Sequence, residues 1–451
     1  MRTFGFVCFI ALLTTGCTRY QPKPLEERKI LEDLRALTLE SAAVSSSSSD
    51  SEAFDPSDGL SEDEAVSLAL SLNPGLGAQR AAKGVAEAQL LAAGLYPDPE
   101  LDARWISRGD GTVLEGSLLQ ALSLTGERGL RRQRARLRIE EVNLELASVE
   151  WKLVQEVRHA FADLLVSEEA VRIAQADLEL RLKVASLIQT RQELGAATLL
   201  ETHLSALDAV QQRRVVLSEG IRRDLARQEL NRLIGVGPGT PYPLQVAGDP
   251  WAILKLPGPE RLEELALIRR PDLAAARMAY EQSEKGLQLA TRGQYPRLRI
   301  GPTYGEEEGE SGLGIAASVE IPMWNRNRGE IAEKLAERAR LAEEFRARIA
   351  ALRAALASAL SELERQEGLL RLVEEEVRPR LERSLSLVEE SLQAGKIEPT
   401  ALLLLQDRLL EAKRDALEVR SAYRKALIKL EEVAGVRASE MEEMEKPVGK
   451  E

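Results

Sequence analysis

The sequence predicts a mainly helical protein with a small β part, built from two copies of one unit. Gly195 and Gly395 lie 200 residues apart, and Gly235 and Gly435 follow them at equal distances within similar helical sequence. Long stretches with apolar residues every three or four positions predict helices, and shorter stretches with an apolar residue at every second position predict strands. A fixed long-period similarity of this kind indicates a duplicated fold.

The composition favours long helices and excludes some partners. The chain has 451 residues, of which only 4% are aromatic, and Leu, Ala, Glu and Arg are abundant. Its net charge is −12 with both signs mixed along the predicted helices. Nucleic-acid binding requires clustered Lys and Arg, so we expect no nucleic-acid partner.

The N-terminus has the features of an export signal. Residues 1–16 combine one arginine, an apolar run and small residues before Cys17, and the run is too short to span a bilayer. The LTTGC sequence is similar to a lipobox, which predicts lipidation of Cys17. Thr18 follows the cysteine, and bacterial lipoproteins without aspartate at that position are usually sent to the outer membrane, so we expect that location. The alternative is a plain signal peptide with an incidental cysteine. Residues 17–60, rich in Ser and Pro, are expected to form a lipidated tether.

A long helical hairpin is expected in each copy. Residues with heptad spacing follow one another in a stretch without proline, namely Ile139, Val142, Leu146, Val149 and Leu153. A continuous helix from about Gly129 to Glu193 would be about 100 Å long. In the second copy we expect Pro379 to kink the descending helix and Pro399 to lie in the first turn of the returning one.

Each copy also carries one predicted strand hairpin. In the second copy, Leu298, Ile300, Pro302 and Tyr304 share a face, a loop GEEEGES follows, and alternation resumes from Leu313 to Ile321. The first copy alternates in the same way from Leu101 to Trp105 and from Leu114 to Leu124. Such alternation is typical of transmembrane β-barrel strands, and a soluble amphipathic hairpin would give the same pattern.

Four strands in one chain cannot close a barrel, and an open strand edge cannot exist in lipid. Membrane-embedded strands would therefore require other subunits. Two chains would supply eight strands and three would supply twelve, and only the wider barrel leaves room for a channel.

The duplicated order of helix, strand hairpin and long helical hairpin resembles the TolC-type outer membrane efflux proteins. The resemblance covers roughly residues 60–436 and depends on the paired NP/RP…YP segments, the glycine turns and the segment IPMWNRNRGEIAEKLAERARL from Ile321. That segment is especially similar to the heavy-metal (CzcC-like) branch. The domains would be the first repeat at 61–240, a linker at 241–260, the second repeat at 261–436 and a polar C-terminal tail at 437–451.

The resemblance implies a homotrimer with a twelve-stranded transmembrane β-barrel in the outer membrane lipid and a tapering α-barrel tunnel in the periplasm. It also implies docking of the helical tips onto a periplasmic adaptor protein, which joins an inner-membrane pump. Motif matching gives the tip candidates Leu194, Gly195, Ala196, Ala394, Gly395 and Lys396. An ordinary interhelical turn is the alternative for these positions.

Two acidic residues just past the tips are candidates for the periplasmic aperture. Glu201 and Glu398 would each recur three times in a trimer, and a ring of carboxylates concentrates cations. Their alternative place is a solvated helix face. Ala401 and Leu404 stand where family members often have aspartates. Asn325 and Asn327 are expected at the strand-to-helix connection, where asparagine can cap the following helix.

No catalytic or cofactor motif emerges from the sequence. His159 and His203 lie on separate predicted helices, and no His-, Cys- or Met-rich tract predicts a soft-metal site. We therefore expect no enzyme activity, cofactor or bound metal. The predicted function is the passive outer membrane exit duct of a tripartite efflux system, for metal cations or small toxic molecules. The alternative is a periplasmic coiled-coil lipoprotein scaffold, which would have no use for apolar strand hairpins.

Overall fold

The fold is given by a computed structural model that describes residues 20–37, 59–108, 111–123, 125–246, 248–307, 310–393 and 399–445. Cys17, the tip residues 394–396 and Glu398 lie outside the described residues. Within the described part of the chain, two similar successions of helices and strands follow one another. The duplication inferred from the glycine spacing is thus a duplication of secondary structure.

The first repeat comprises four helices and two strands, preceded by a short helix within the predicted tether. That short helix is α1, Glu27–Ala36. The repeat itself consists of α2 (Glu62–Leu72), α3 (Pro74–Gly94), β1 (Glu100–Arg108), β2 (Gly111–Leu122), α4 (Glu127–Glu193) and α5 (Leu199–Ile234).

The second repeat has the same order, with one interruption in its long helix. It consists of α6 (Pro259–Arg269), α7 (Pro271–Arg292), β3 (Arg297–Glu307), β4 (Glu310–Glu320), α8 (Arg328–Leu372), a π-helical turn (Val373–Val377), α9 (Arg378–Gln393) and α10 (Pro399–Ala434). A last helix, α11 (Ala438–Glu445), occupies the predicted polar tail, and its Met441 is fully buried.

The long helices follow the sequence prediction closely. Helix α4 has 67 residues, which corresponds to about 100 Å at the usual rise of about 1.5 Å per residue. Pro399 begins α10, as expected of a proline that has no N–H to offer the helix. The mainly α fold with long helical hairpins is therefore confirmed.

Each repeat has its own hydrophobic core where the end of the returning helix packs against the middle of the long helix. In the first repeat Leu68, Leu164 and Ile234 meet with almost no exposed surface, and in the second Leu262, Leu370 and Leu427 do the same. Arg158 of α4, only 6% exposed, connects the two cores, because its guanidinium binds Glu62 of α2 and Glu431 of α10. A buried charge network thus joins the repeats.

The four strands form one antiparallel sheet in the order β1-β2-β3-β4, so the hairpins of the two repeats pair with each other. The register continues into the predicted GEEEGES loop, where Gly305 pairs with Gly312 and Glu307 with Glu310. The prediction of a long loop there is wrong. The described residues of the segment, 305–307 and 310–311, all belong to the antiparallel ladder and pair their backbone groups across the hairpin.

The segment between the repeats is partly built into the first core. Leu60 and Leu244 form a parallel bridge, and Tyr242 is buried with its hydroxyl donating to Asn231 Oδ1 at 2.7 Å. The predicted linker at 241–260 therefore includes packed residues. Among the described helices, none has an apolar stretch of sufficient length to cross a bilayer.

Candidate functional site

The sheet has one apolar and one polar face, and the apolar face is exposed. Cross-strand pairs such as Trp105 with Leu114 and Tyr304 with Leu313 place the apolar alternation of all four strands on one side. Trp105 is 77% exposed and Leu313 is 86% exposed. The opposite face carries Asp, Glu, Arg, Ser and Gly. A water-facing sheet does not normally expose so large an apolar surface.

The backbones of β2 and β3 approach each other closely in the middle of the sheet. A Cβ built on Gly301 of β3 would lie 1.7 Å from the carbonyl oxygen of Leu118 of β2, so only glycine fits. Pro302 follows it and has no N–H to donate to β2. The pairing of β2 with β3 accordingly stops at Ser117–Thr303 and resumes at Gln120–Ile300.

The two outer strands leave edges that no described strand pairs with. Within the part of the chain that the structure describes, β1 and β4 are hydrogen-bonded only on their inner sides. An exposed strand edge offers free N–H and C=O groups to a further strand. Strands of another chain can therefore extend the sheet by pairing with these edges.

The first hairpin tip is a helix C-terminus with an exposed glycine turn. Gly195 has φ +75°, its N–H donates to Gln192 O at 2.9 Å, and Ala196 N–H donates to Arg191 O at 2.7 Å. This pair of bonds is the Schellman motif, which requires a left-handed residue and so favours glycine. Leu194 is 79% exposed, and no atom lies within 4 Å of a Cβ built on Gly195. The three predicted tip residues are thus together at an accessible turn.

Glu201 has a structural partner at this tip. Its carboxylate accepts from the Thr198 N–H at 2.7 Å and from Thr198 Oγ at 2.9 Å, while its own N–H donates to Thr198 Oγ at 3.2 Å. This reciprocal arrangement caps the N-terminus of α5. Hydrogen bonds from the Thr198 backbone and hydroxyl lower the pKa of Glu201, so it stays ionised in mild acid.

The strand-to-helix connection at 321–327 differs from the expectation in one respect. Asn327 occupies the N-cap position of α8, but its side chain caps no helical N–H. Its Nδ2 instead donates to Ala290 O at 2.8 Å and to Glu330 Oε2 at 2.7 Å. Arg326 and Asn327 both have positive φ, at 47° and 53°, and this tight turn directs the amide back towards α7. The predicted cap by Asn327 is therefore wrong, and Asn325 is not the N-cap residue either.

The predicted distortion near Pro379 is confirmed in the form of a π turn. The turn covers Val373–Val377 and ends two residues before the proline. Proline lacks an N–H and its ring collides with the carbonyl four residues earlier, here that of Glu375, so a regular α-helix cannot continue through this point.

A buried charge cluster near the first tip was not anticipated from the sequence. Arg181 of α4 is 5% exposed and donates to Asp177 Oδ2 at 2.6 Å, to Asp208 of α5, and to Asp407 Oδ1 of α10 at 2.5 Å. The hydrogen bonds to these carboxylates outweigh desolvation and raise the pKa of the guanidinium. Only the i, i+4 spacing of Asp177 and Arg181 was visible as a local signal.

Helix α5 exposes a row of apolar residues that has no partner among the described residues. The row is spaced by three, four and seven positions, and each member is more than half exposed: Leu204, Leu207, Val210, Leu217, Ile221 and Leu225. Such spacing places the side chains on one helix face, which is typical of a helix that packs against another helix. This face is a candidate subunit contact.

The described residues contain no group of three or more His, Cys, Asp or Glu side chains arranged to hold a metal ion. His159 lies against Asp163 of its own helix and Lys425, Lys429 and Glu432 of α10, and burial lowers its pKa. These contacts are those of a packed helix interface.

Comparison with known proteins agrees with this architecture. The family model described as "Outer membrane efflux protein" matches residues 262–436. The pyoverdine export outer membrane protein OpmQ of Pseudomonas putida is 28% identical over 333 residues, covering 66% of this chain and 70% of that protein. The cobalt-zinc-cadmium resistance protein CzcC of Cupriavidus metallidurans is 22% identical, covering 83% of this chain and 90% of that protein.

Solved structures share the fold at low sequence identity. A crystal structure of CusC superposes with a TM-score of 0.69 at 16% identity, covering 83% of this chain and 92% of that chain. The outer membrane protein VceC of Vibrio cholerae gives 0.67 at 16% identity, with coverages of 83% and 96%. The duplicated helical hairpins, the four-stranded sheet and these matches together show that the chain has the fold of the outer membrane efflux channels and that residues 262–436 match the outer membrane efflux protein family.

Proposed function

We propose that this chain forms a homotrimeric channel, the passive outer membrane exit duct of a tripartite efflux system. One observation carries the proposal: a sheet whose apolar face is exposed, whose other face is polar and whose two edges pair with no described strand. In lipid the apolar face is stable only if the edges are closed by further strands. Three copies would give twelve strands around a polar lumen.

The exposed row on α5 supports association of the helical part. Six large apolar side chains on one helix face would be covered if α5 packed against a helix of the next subunit. The scaffold alternative accounts for this row but gives no role to the exposed apolar face of the sheet. We therefore favour the channel.

The exposed tip at Leu194, Gly195 and Ala196 is the proposed docking surface for a periplasmic adaptor, together with Ala394, Gly395 and Lys396 of the second repeat. The support at the first tip is its exposure and the space around Gly195. Glycine allows the backbone of a partner to come close. The adaptor would connect the duct to an inner-membrane pump, which supplies the energy.

Glu201 and Glu398 remain proposed aperture residues. The capping bonds to Thr198 leave Glu201 ionised. Three copies of such a carboxylate around a narrow opening would favour cations there. We also propose that Cys17 carries the lipid anchor, which would hold the N-terminus at the outer membrane alongside the barrel.

Conductance of the purified protein in planar bilayers, with the oligomer mass measured on the same sample, tests the channel. We expect a trimer that inserts and conducts. A protein that remains in water as a folded species and never inserts would instead support the scaffold.

The docking surface is tested by efflux in cells. Gly195→Trp combined with Gly395→Trp should abolish efflux while trimers still form, because the tips lie far from the sheet. Gly220→Trp is a control in the middle of α5, where no atom of the chain lies within 4 Å of an added Cβ. Full efflux by the double variant would exclude the proposed tips.

Metabolic labelling with radioactive palmitate tests the anchor. The wild-type protein should be labelled and Cys17→Ala should not be. Cys8→Ala, which changes the other cysteine of the chain, should keep the label. Continued labelling of Cys17→Ala would rule out lipidation at this residue.

A further inference from the structure

A groove with a surplus of basic side chains lies just below the sheet. It has a volume of about 610 Å³ and is lined by five basic and two acidic residues, although the chain as a whole has a net charge of −12. Volumes of this size are typical of small-molecule sites. We call it the basic groove and define it by Arg131, Arg134, Arg138, Gly286, Lys334 and Glu337.

Two of the basic residues are neutralised within the groove. Arg138 Nη1 lies 2.5 Å from Glu141 Oε2, and Lys334 Nζ lies 2.8 Å from Glu337 Oε2. Arg131 and Arg134 differ, because the described residues supply neither a hydrogen bond nor an ion pair to them. Arg131 Nε is also shielded from solvent without an acceptor. A buried donor of a charged group without a partner is costly unless a ligand supplies the acceptor.

The floor of the groove is open because of Gly286 on α7. A Cβ at this position would lie 4.0 Å from Arg134 Cζ and 3.9 Å from Lys334 Cδ. The two basic side chains therefore converge over a point where the helix has no side chain. Glycine inside a helix is less stable than alanine, so here it opens space at the expense of helix stability.

The groove is connected through Arg131 to the end of the sheet next to the helices, where a second cavity is lined by residues of both sheet faces. Arg131 lines this second cavity of about 300 Å³ together with Glu100, Arg297 and Arg299, which belong to the polar face of the sheet. The helices form a row in which α3 contacts α4, α4 contacts α7 and α7 contacts α8. Residues from all four line the one groove, so the row curves around it.

We infer that the basic groove binds small anions with carboxylate or phosphate groups as they pass through the channel. The inference rests on the proposed function, because only in the trimer does the polar side of the sheet become the lumen. Arg134 acts on Glu337 only through the longer-range attraction of their charges, so the guanidinium groups of Arg131 and Arg134 both keep their N–H donors free of carboxylates among the described residues. Each can hold a ligand carboxylate or phosphate with two parallel N–H···O bonds. The cargo class indicated by this groove is anionic, in contrast to the free metal cations expected from the sequence.

Calorimetry on the detergent-solubilised full-length protein at low ionic strength tests the groove directly, with citrate as the carboxylate probe and inorganic phosphate as the phosphate probe. Arg131→Gln combined with Arg134→Gln should weaken binding about tenfold or more, since charge-assisted hydrogen bonds are lost. Arg346→Gln combined with Arg348→Gln removes the same charge from exposed positions of α8 and should change binding little. Equal affinities of the wild type and the groove variant, or no binding by the wild type, would overturn the inference.

Gly286→Ala distinguishes anion binding in the groove from a general effect of positive charge, because it changes the shape of the groove and leaves every charge in place. The added methyl meets only ordinary contacts, so the thermal midpoint should not fall, whereas binding should weaken severalfold because the floor is filled. Unchanged binding by this variant would place the anion elsewhere.

Reversal potentials in a KCl gradient give a second readout. Loss of Arg131 and Arg134 should make the channel less permeable to chloride relative to potassium, and the α8 control should not. An identical reversal potential for wild type and groove variant would also count against the groove. A wild-type protein that binds citrate but never conducts would contradict the channel and leave the anion site standing.

Discussion

Asn73 donates a hydrogen bond of 2.8 Å from its side-chain Nδ2 to the carbonyl oxygen of Leu233. In the second repeat Arg270 Nη1 donates to the carbonyl oxygen of Val433, also at 2.8 Å. Each donor precedes the proline of an NP or RP motif, and each acceptor lies two residues before the glycine that ends a long helix. The paired motifs therefore have one task, which is to attach the end of the returning helix to the start of its own repeat.

Asn73→Asp is expected to lower the free energy of unfolding by about 1–2 kcal/mol, because a carboxylate cannot donate to the Leu233 carbonyl. Asn73→Ala should cost about 1 kcal/mol more, because Asn73 Oδ1 also accepts from the Gly75 N–H at 2.8 Å and caps α3. Denaturant unfolding followed by circular dichroism gives the ranking. If both variants matched the wild type, the bond would have no energetic role.

Gly301→Ala should prevent normal pairing of β2 and β3, because the new methyl would overlap the Leu118 carbonyl oxygen. Gly305→Ala on the same strand and the same face meets no atom within 4 Å and is the matched control. The measurement is the fraction of protein recovered as assembled oligomer from membranes. We expect a severe loss for Gly301→Ala alone, and equal recovery of both variants would contradict the close approach.

Arg181→Gln should destabilise the protein by about 3 kcal/mol or more, because it leaves Asp177 buried without its counter-charge. Arg172→Gln, which removes an exposed guanidinium paired with Glu169 one turn away on the same helix, should cost less than about 1 kcal/mol. Thermal unfolding of the two purified variants provides the comparison. Similar midpoints would show that the cluster is not a stabilising junction of α4, α5 and α10.

His159 predicts a pH dependence of stability. Burial lowers its pKa in the folded state below the ordinary value of about 6.5, against the attraction of Asp163 and Glu432. The unfolded chain therefore takes up the proton first, so stability is full above about pH 6.5 and falls as the pH drops through the folded pKa. His159→Gln should reduce the difference between midpoints measured at about pH 8 and about pH 5. A larger difference in the variant would mean that folding raises the pKa of His159 and does not lower it.

Features encoded in local sequence were predictable. The strand faces followed from alternation, the first tip from Gly195, and the break near Pro379 from the chemistry of proline. The pattern Thr-x-x-Glu before an apolar run also encodes the capping box of Thr198 and Glu201, whereas the two places predicted for Glu201 were the aperture and a solvated helix face.

Features that depend on distant parts of the chain could not be predicted. Arg181 meets Asp407 across 226 positions of sequence, and nothing near either residue indicates the other. The basic groove combines α3, α4, α7 and α8, whose order in space is set by packing. Gly301 is one glycine among several in the strands, and only the register shows that the β2 backbone touches it.

The π turn at Val373–Val377 determines which side of the helix the side chains of α9 occupy. Buried residues along α8 alternate spacings of four and three from Leu352 to Leu370 and on to Val373, whereas the partly buried Val and Leu side chains that follow, Val377 and Leu381, come in two successive steps of four. One surplus residue would rotate the rest of a regular helix by about 100°. Because the wide turn takes up that residue, Leu381 still packs against the cluster that contains Leu409 of α10, the helix that α8 also contacts. The apolar side of the second hairpin therefore continues along one face through the turn.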